Sequence, residues 1–282
     1  MVQKNNGLLY AFTVLFITWS VTAALFIQPN IGLKTFPIIM FIPAAAAIIF
    51  SIFTGERFNG FKPKMNGKAL LFGILYPLVF ILLCAVLAQI LGIGTWNADK
   101  FPNGKMIVTI VITILLNLFT VLGEEYGWRG YLLPKLTMHW GKTKATIILG
   151  IIWALFHAPA VLFLAKTTGI SHPWLLCLIQ AGCVFVISFA FSYCYYLSGN
   201  IIPVLFLHSV WNVINTHVLG SIYTNEHGMM DGSIVLFNGE GLLGLVLGGV
   251  FMFWFIHQFQ KECQLVKPGY TKMMKGEELN GN

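Results

Sequence analysis

Apolar residues in this chain come in runs of about twenty, one after another, with only short polar pieces between them. A hydrocarbon core about 30 Å thick takes roughly 20 helical residues per crossing. On that measure the pattern predicts eight spans, at 8–27, 36–54, 69–94, 106–133, 145–164, 174–197, 201–219 and 241–260. The chain reads as an all-α, polytopic membrane helical bundle of about eight transmembrane helices. The first run is too long for the apolar stretch of a signal peptide and no small-x-small cleavage site follows it, so it counts as a span. No repeat, low-complexity tract or soluble domain interrupts the series. The longest polar pieces are 55–68, 220–240 and a tail over 261–282, which makes residues 1–282 a single membrane-embedded domain.

Composition agrees: 57% of residues are hydrophobic and 10% charged, with a mean hydropathy of +0.79. The net charge of +7 matters for what it says about sidedness. Basic loops stay in the cytoplasm, and with an inside N-terminus 13 of the 17 Lys and Arg fall on cytoplasmic segments and 4 on the other side. The last non-cytoplasmic loop carries Glu226, Asp231 and Glu240 and no Lys or Arg. Both termini are therefore expected in the cytoplasm, with the basic side matched to anionic lipid headgroups. A nucleic-acid partner is excluded, since it needs a basic soluble face. Cys84, Cys177, Cys183, Cys194 and Cys263 lie mostly within spans without a CxxC spacing, and read as core packing.

Ionisable groups inside a span cost roughly 2.5–3.5 kcal/mol each on insertion scales, so those present pair or serve a function. They are Glu124, Glu125, Arg129, His157, His208, Asn212, Asn215, His217 and His257, counting the carboxamides with them. Span four stays apolar and aromatic through Leu133, so Glu124 lies about 14 Å from its cytoplasmic end at Pro134. His157 and His208 lie about 18 Å and 10 Å from that side on the same rise, which brings three helices' polar groups to similar depth. Glu125 and Arg129 are i,i+4, spaced for one carboxylate to neutralise the guanidinium, while Glu124 points about a third of a turn away. His208 and Asn212 are also i,i+4 and aim two donors from one helix face. An acid, a second histidine and such a donor pair are the parts for water-mediated amide hydrolysis without a serine or cysteine nucleophile.

Three motifs resemble the CAAX protease and bacteriocin-processing family, also known as type II CAAX prenyl endopeptidases or Abi proteins. They are Glu124-Glu125-x-x-x-Arg129 followed by Gly130-Tyr131-Leu132-Leu133-Pro134, Trp153-x-x-x-His157, and His208-x-x-x-Asn212, in family order over a core of about 106–219. Trp153 stands where the general family form has Phe. The resemblance implies an intramembrane glutamate-dependent endopeptidase with eight spans. It implies Glu124 as general base, His157 positioning and activating the water, His208 and Asn212 as oxyanion pocket, and Glu125 holding Arg129 in structural support. It further implies a membrane-associated peptide or protein substrate, in a bacterial plasma membrane protein whose cavity opens towards the cytoplasm.

Competing readings attach to the same residues. Glu124, His157 and His208 could serve as zinc ligands, although HExxH and a cysteine ligand set are absent; otherwise no cofactor is expected. A non-catalytic bacteriocin-immunity or regulatory scaffold would keep the motifs and act by binding. Alone, His157 would read as a core histidine bonded to a carbonyl, and His208 with Asn212 as interhelical glue. Gly123 with Gly127, and Gly244 with Gly248, read as helix-packing pairs.

Overall fold

The computed structural model describes residues 6–55, 60–61 and 66–277, with side chains described as far as residue 261. Lys4, Arg57, Lys62 and Lys64, the side chains of Lys267, Lys272 and Lys275, and that of Cys263 lie outside the described residues. Helices α1 (Asn6–Leu25), α2 (Pro29–Thr35), α3 (Ile42–Thr54), α4 (Gly67–Ile90) and α5 (Gly104–Glu125) fill the first half. A π-helical turn over Tyr126–Leu132 links α5 to α6 (Leu133–Thr167), and α7 (Pro173–Ser198), α8 (Ile202–Leu219), the single turn α9 (Ile234–Phe237) and α10 (Leu242–Glu277) complete the chain.

Among the described residues seven helical runs are long and apolar enough to cross a membrane, and one of them, Gly104–Thr167, is 64 residues long. At 1.5 Å per residue a straight helix of that length would reach about 96 Å, three bilayer cores. It is not straight. Gly141 sits at φ 71 and ψ 170, outside helical geometry, and Trp153, 29 residues beyond Glu124, hydrogen-bonds it. The chain has therefore turned back on itself, the run contains two crossings, and the eight spans read from the sequence are recovered.

Helix ends follow local chemistry. Asn66 and Asn103 cap α4 and α5 by accepting from the N–H groups of Lys68 and Met106. The expectation that span three continues to residue 94 is corrected: α4 stops at Ile90 because Gly92 adopts φ +68 and the N–H groups of Gly92 and Ile93 turn back to Gln89 and Ala88. Residues 94–96 instead form strand β1 (Gly94–Trp96), paired antiparallel with β2 (Met230–Gly232) so that Thr95 faces Asp231. Lys100 reinforces that clasp through a 3.0 Å ion pair with Asp231. The polar piece 220–240 is thus folded over one end of the bundle, with Ile222, Met230 and Phe237 buried beneath it.

In the bundle α8 packs against α4 and α5, α7 against α6 and α10, and α1 and α3 flank the π turn. Phe12, Phe16, Phe53, Leu116, Phe119, Leu178 and Phe253 face outward, as lipid-contacting positions should. Buried inside are Trp128, Trp153, Trp211, Phe80 and Phe191 together with the polar groups. Cys84, Cys183 and Cys194 are buried free thiols and Cys177 is half-buried, consistent with packing roles.

Candidate active site

The two adjacent acids end α5 where the backbone widens. Pro134 has no N–H to give to the Gly130 carbonyl, and just ahead of it Leu133 donates to Trp128, five residues back, in place of the α-helical fourth. Such π turns gather at functional sites. Close approach of α1 and α3 fixes this turn: a methyl group on Gly127 would sit 2.5 Å from Pro43 Cβ, and one on Gly123 would sit 2.6 Å from the Met40 carbonyl. Gly123 and Gly127 are packing positions, as their spacing indicated; Gly248 likewise lets Val186 of α7 approach α10.

Glu125 is fully buried and fully engaged. Arg129 Nη1 donates to Oε1 at 3.0 Å and lies 3.2 Å from Oε2. His208 Nδ1 donates to Oε1 at 2.8 Å. The guanidinium carbon lies 4.0 Å from the centre of the Trp153 ring and 4.8 Å from that of Phe191, a cation–π setting that compensates a charge held out of water. Arg129 Nε and Nη2 have no hydrogen-bond partner among the described residues, so the carboxylate and the two rings carry the compensation.

Glu124 is 2% exposed and points elsewhere. Its Oε2 accepts from Trp153 Nε1 at 2.8 Å and lies 3.9 Å from His157 Nε2. His157 Nδ1 faces the Trp153 carbonyl at 2.9 Å. A carbonyl only accepts, so Nδ1 carries a proton, and in the neutral tautomer a bare Nε2 faces Glu124. His157 and His208 both stand edge-on to the Trp153 indole, at 5.4 and 5.9 Å between ring centres. Trp153 is therefore more than a packing aromatic: it binds the acid, spaces the histidines and covers the arginine. Its indole N–H was the sequence signal for this, since a buried Trp N–H needs an acceptor.

Glu124, His157, His208 and Asn212 all line one cavity of about 340 Å³. Glu125 and Arg129 do not. Four of the candidates face the cavity and two lie outside its lining. Asn215 and His217 line the same cavity further along α8. Residues the sequence reading passed over also line it, chiefly Gln180, Tyr223 and Glu240.

The cavity runs from Glu124 towards the end of the bundle where α5 begins and α8 finishes, reaching Thr113, Thr216 and Gly220–Tyr223. Thr216, His217 and Ser221 also wall a second recess bounded by Asp99, Lys100, Asn103 and Glu226. In the orientation given by the basic loops this is the non-cytoplasmic end. Cytoplasmic termini and a cavity opening to the cytoplasm are therefore incompatible expectations. Counting residues back from Pro134 measured the depth of the acids but said nothing of the direction in which the space around them extends.

Among the described residues no group of three His, Cys, Asp or Glu side chains is placed to hold a metal ion. His208 Nδ1 is committed to Glu125, and the Glu124–His157 pair stands without a third converging donor, so the candidate zinc ligands do not form a triad in this geometry.

Residues 106–214 match the family model described as Type II CAAX prenyl endopeptidase Rce1-like. The chain is also similar to the protein named CAAX prenyl protease 2 of Methanococcus maripaludis, with 36% identity over 91 residues. That alignment covers 30% of this chain and 34% of the relative, so the chain spans about a third of the length of the curated relative it matches. The matched segment contains all three motifs, so the similarity to the Rce1-like family model and the resemblance read from the motifs rest on the same residues.

Proposed function

We propose that this protein is an intramembrane endopeptidase that hydrolyses a peptide bond of a membrane-associated peptide or protein, with Glu124 as general base and no covalent intermediate. The observation that carries the reading is the division of labour between neighbouring carboxylates. Glu125 is consumed by Arg129 and His208, whereas Glu124 faces the cavity and, among the described residues, forms no ion pair with a Lys or Arg, beside a histidine nitrogen that can only accept when neutral.

A separation of 3.9 Å is beyond a direct hydrogen bond but lets both groups contact one water at about 2.8 Å from each. Two acceptors then take the water's two O–H bonds and aim its lone pair at a substrate carbonyl. Glu124 removes a proton as the C–O bond forms and returns it to the departing amine. The carbonyl oxygen, now negative, lies towards α8, where Asn212 donates in any protonation state. His208 holds its Nδ1 proton on Glu125, so a second donor at Nε2 requires the doubly protonated ring.

The relative's name makes a prenylated C-terminal peptide the first substrate class to test, and an unprenylated membrane peptide the second. With the termini in the cytoplasm, as the basic loops argue, the substrate meets the cavity from the non-cytoplasmic face. Maleimide labelling of single cysteines at Glu226 and Lys142 in right-side-out vesicles tests this: Glu226→Cys reacts and Lys142→Cys does not, and the reverse pattern overturns the orientation.

The test of the activity is cleavage of a fluorogenic panel, prenylated and not, by purified protein in detergent, with and without chelator. Wild type cuts at least one peptide, Glu124→Gln cuts none, and chelator has no effect. Loss on chelation with recovery on added zinc would establish the metal route, and equal in-cell function of wild type and Glu124→Gln would establish the scaffold.

A further inference from the structure

The cavity has a second polar end. Across from Glu124 it is walled by Gln180 of α7, by Tyr223 just past α8, and by Glu240 just before α10. Glu240 is 6% exposed. Its Oε1 accepts from Trp211 Nε1 at 3.2 Å and its Oε2 from the Tyr223 hydroxyl at 2.7 Å. Among the described residues no Lys, Arg or His forms an ion pair with it.

Proton counting fixes the direction of this network. Tyr223 has one hydroxyl proton and gives it to Glu240, so at 3.2 Å Gln180 must present its NH₂ to the Tyr223 oxygen. Burial and the adjacent Glu240 push the Tyr223 hydroxyl up from its ordinary value, which keeps that proton in place. Gln180 Oε1 is consequently turned away from Tyr223, and it is buried with no partner. A buried amide oxygen left unsatisfied is costly. The unpartnered group at this end is an acceptor, and it stands beside a carboxylate, with Tyr223 and Trp211 already giving their protons to Glu240. Two carboxylates, Glu124 and Glu240, and three histidines, His157, His208 and His217, line the cavity, with no Lys or Arg; the charge held in the Gln180–Tyr223–Glu240 network is that of Glu240, which favours a cation there.

We propose that Gln180, Tyr223 and Glu240 form a second subsite that takes an ammonium or guanidinium group of the substrate peptide. This rests on the proteolytic reading for its link to catalysis. Spacing follows from α7, which lines both ends: Phe191 packs on His208 at 5.2 Å, and Gln180 lies eleven positions away, about 16 Å along the axis. An extended peptide covers that in about five residues. The substrate is therefore a largely apolar peptide with a Lys or Arg four to six residues from the bond that is cut.

The test separates binding from cleavage. A labelled, otherwise uncharged membrane peptide carries one lysine, moved along it a residue at a time, and is compared with the matching norleucine peptide. Binding is read by anisotropy with full-length Glu124→Gln protein in nanodiscs. Within one window the lysine peptide binds about 10- to 100-fold tighter, the range of a hydrogen bond to a charged group. Adding Glu240→Gln brings that ratio to within about threefold, and Gln180→Leu lowers it without changing the charge. Glu226→Gln, an exposed acid near the rim, leaves it alone. Lysine with no advantage at any position, or a ratio indifferent to both Glu240→Gln and Gln180→Leu, overturns the subsite, and the first of these needs no subsite variant to fold. Lysine-dependent binding without wild-type cleavage of the same peptides would sink the protease reading and leave the subsite standing; cleavage without lysine preference would do the opposite.

Discussion

Replacing Glu125 by Gln leaves Arg129 in the bundle with its shape almost unchanged and its countercharge gone. Both side chains of the pair are fully inaccessible, so water cannot take over, and breaking a buried pair by removing one partner costs about 3–5 kcal/mol. The 2.8 Å contact with His208 is lost as a charged one, adding about 1 kcal/mol. At about 2–4 °C per kcal/mol for a chain of this order of size, the apparent Tm falls by roughly 10 °C or more. The solvent-accessible Lys100–Asp231 pair is the internal comparison, since water screens its attraction. Asp231→Asn should therefore shift Tm by only a few degrees. The assay is thermal unfolding of detergent-purified variants followed by size-exclusion fluorescence. Glu125→Gln with Arg129→Met recovers part of the loss, because two uncharged groups replace one orphaned charge. A Glu125→Gln protein as stable as Asp231→Asn would refute the reasoning that places the compensating charge on this carboxylate.

Other outcomes follow from the same geometry. Asn212→Ala removes the oxyanion donor that needs no proton, and kcat on any cleaved peptide should drop by about 10²–10³ with KM little changed; an equal loss through KM alone would make Asn212 a binding residue. Gly127→Ala places a methyl group against Pro43 and should cost about 1–3 kcal/mol as an overpacked contact, read as a Tm decrease, while Gly104→Ala, which meets nothing within 4 Å, should leave Tm in place.

Much of this was legible because membrane helices write their lengths into the sequence: each span is apolar for as long as the bilayer is thick, and the polar residues left inside stand out against it. Glu124, His157, His208 and Asn212 were found that way, and i,i+4 spacing alone paired Glu125 with Arg129. Tertiary partnerships were not so written. The bonds from Trp153 to Glu124 and from His208 to Glu125 join residues 29 and 83 positions apart, and helical period cannot reach across helices. The π turn depends on a missing N–H at Pro134 together with close packing at Gly127, and only the proline is visible locally. Glu240 read as loop charge because the segment after α8 is polar; that it folds back to line the cavity follows from the local Ser221–Glu226 bridge together with the β1–β2 clasp, whose strands lie more than a hundred residues apart.

The central claim is that Glu124 acts on the water while Glu125 holds the scaffold, and one paired measurement tests it: kcat and Tm for Glu124→Gln beside wild type, on a peptide that wild type cuts. General-base catalysis contributes about 10²–10⁴. The account predicts a loss of kcat in that range with Tm within a few degrees of wild type. A Glu124→Gln protein that cuts within tenfold of the wild-type rate, or one that loses activity only because it no longer folds, would contradict it.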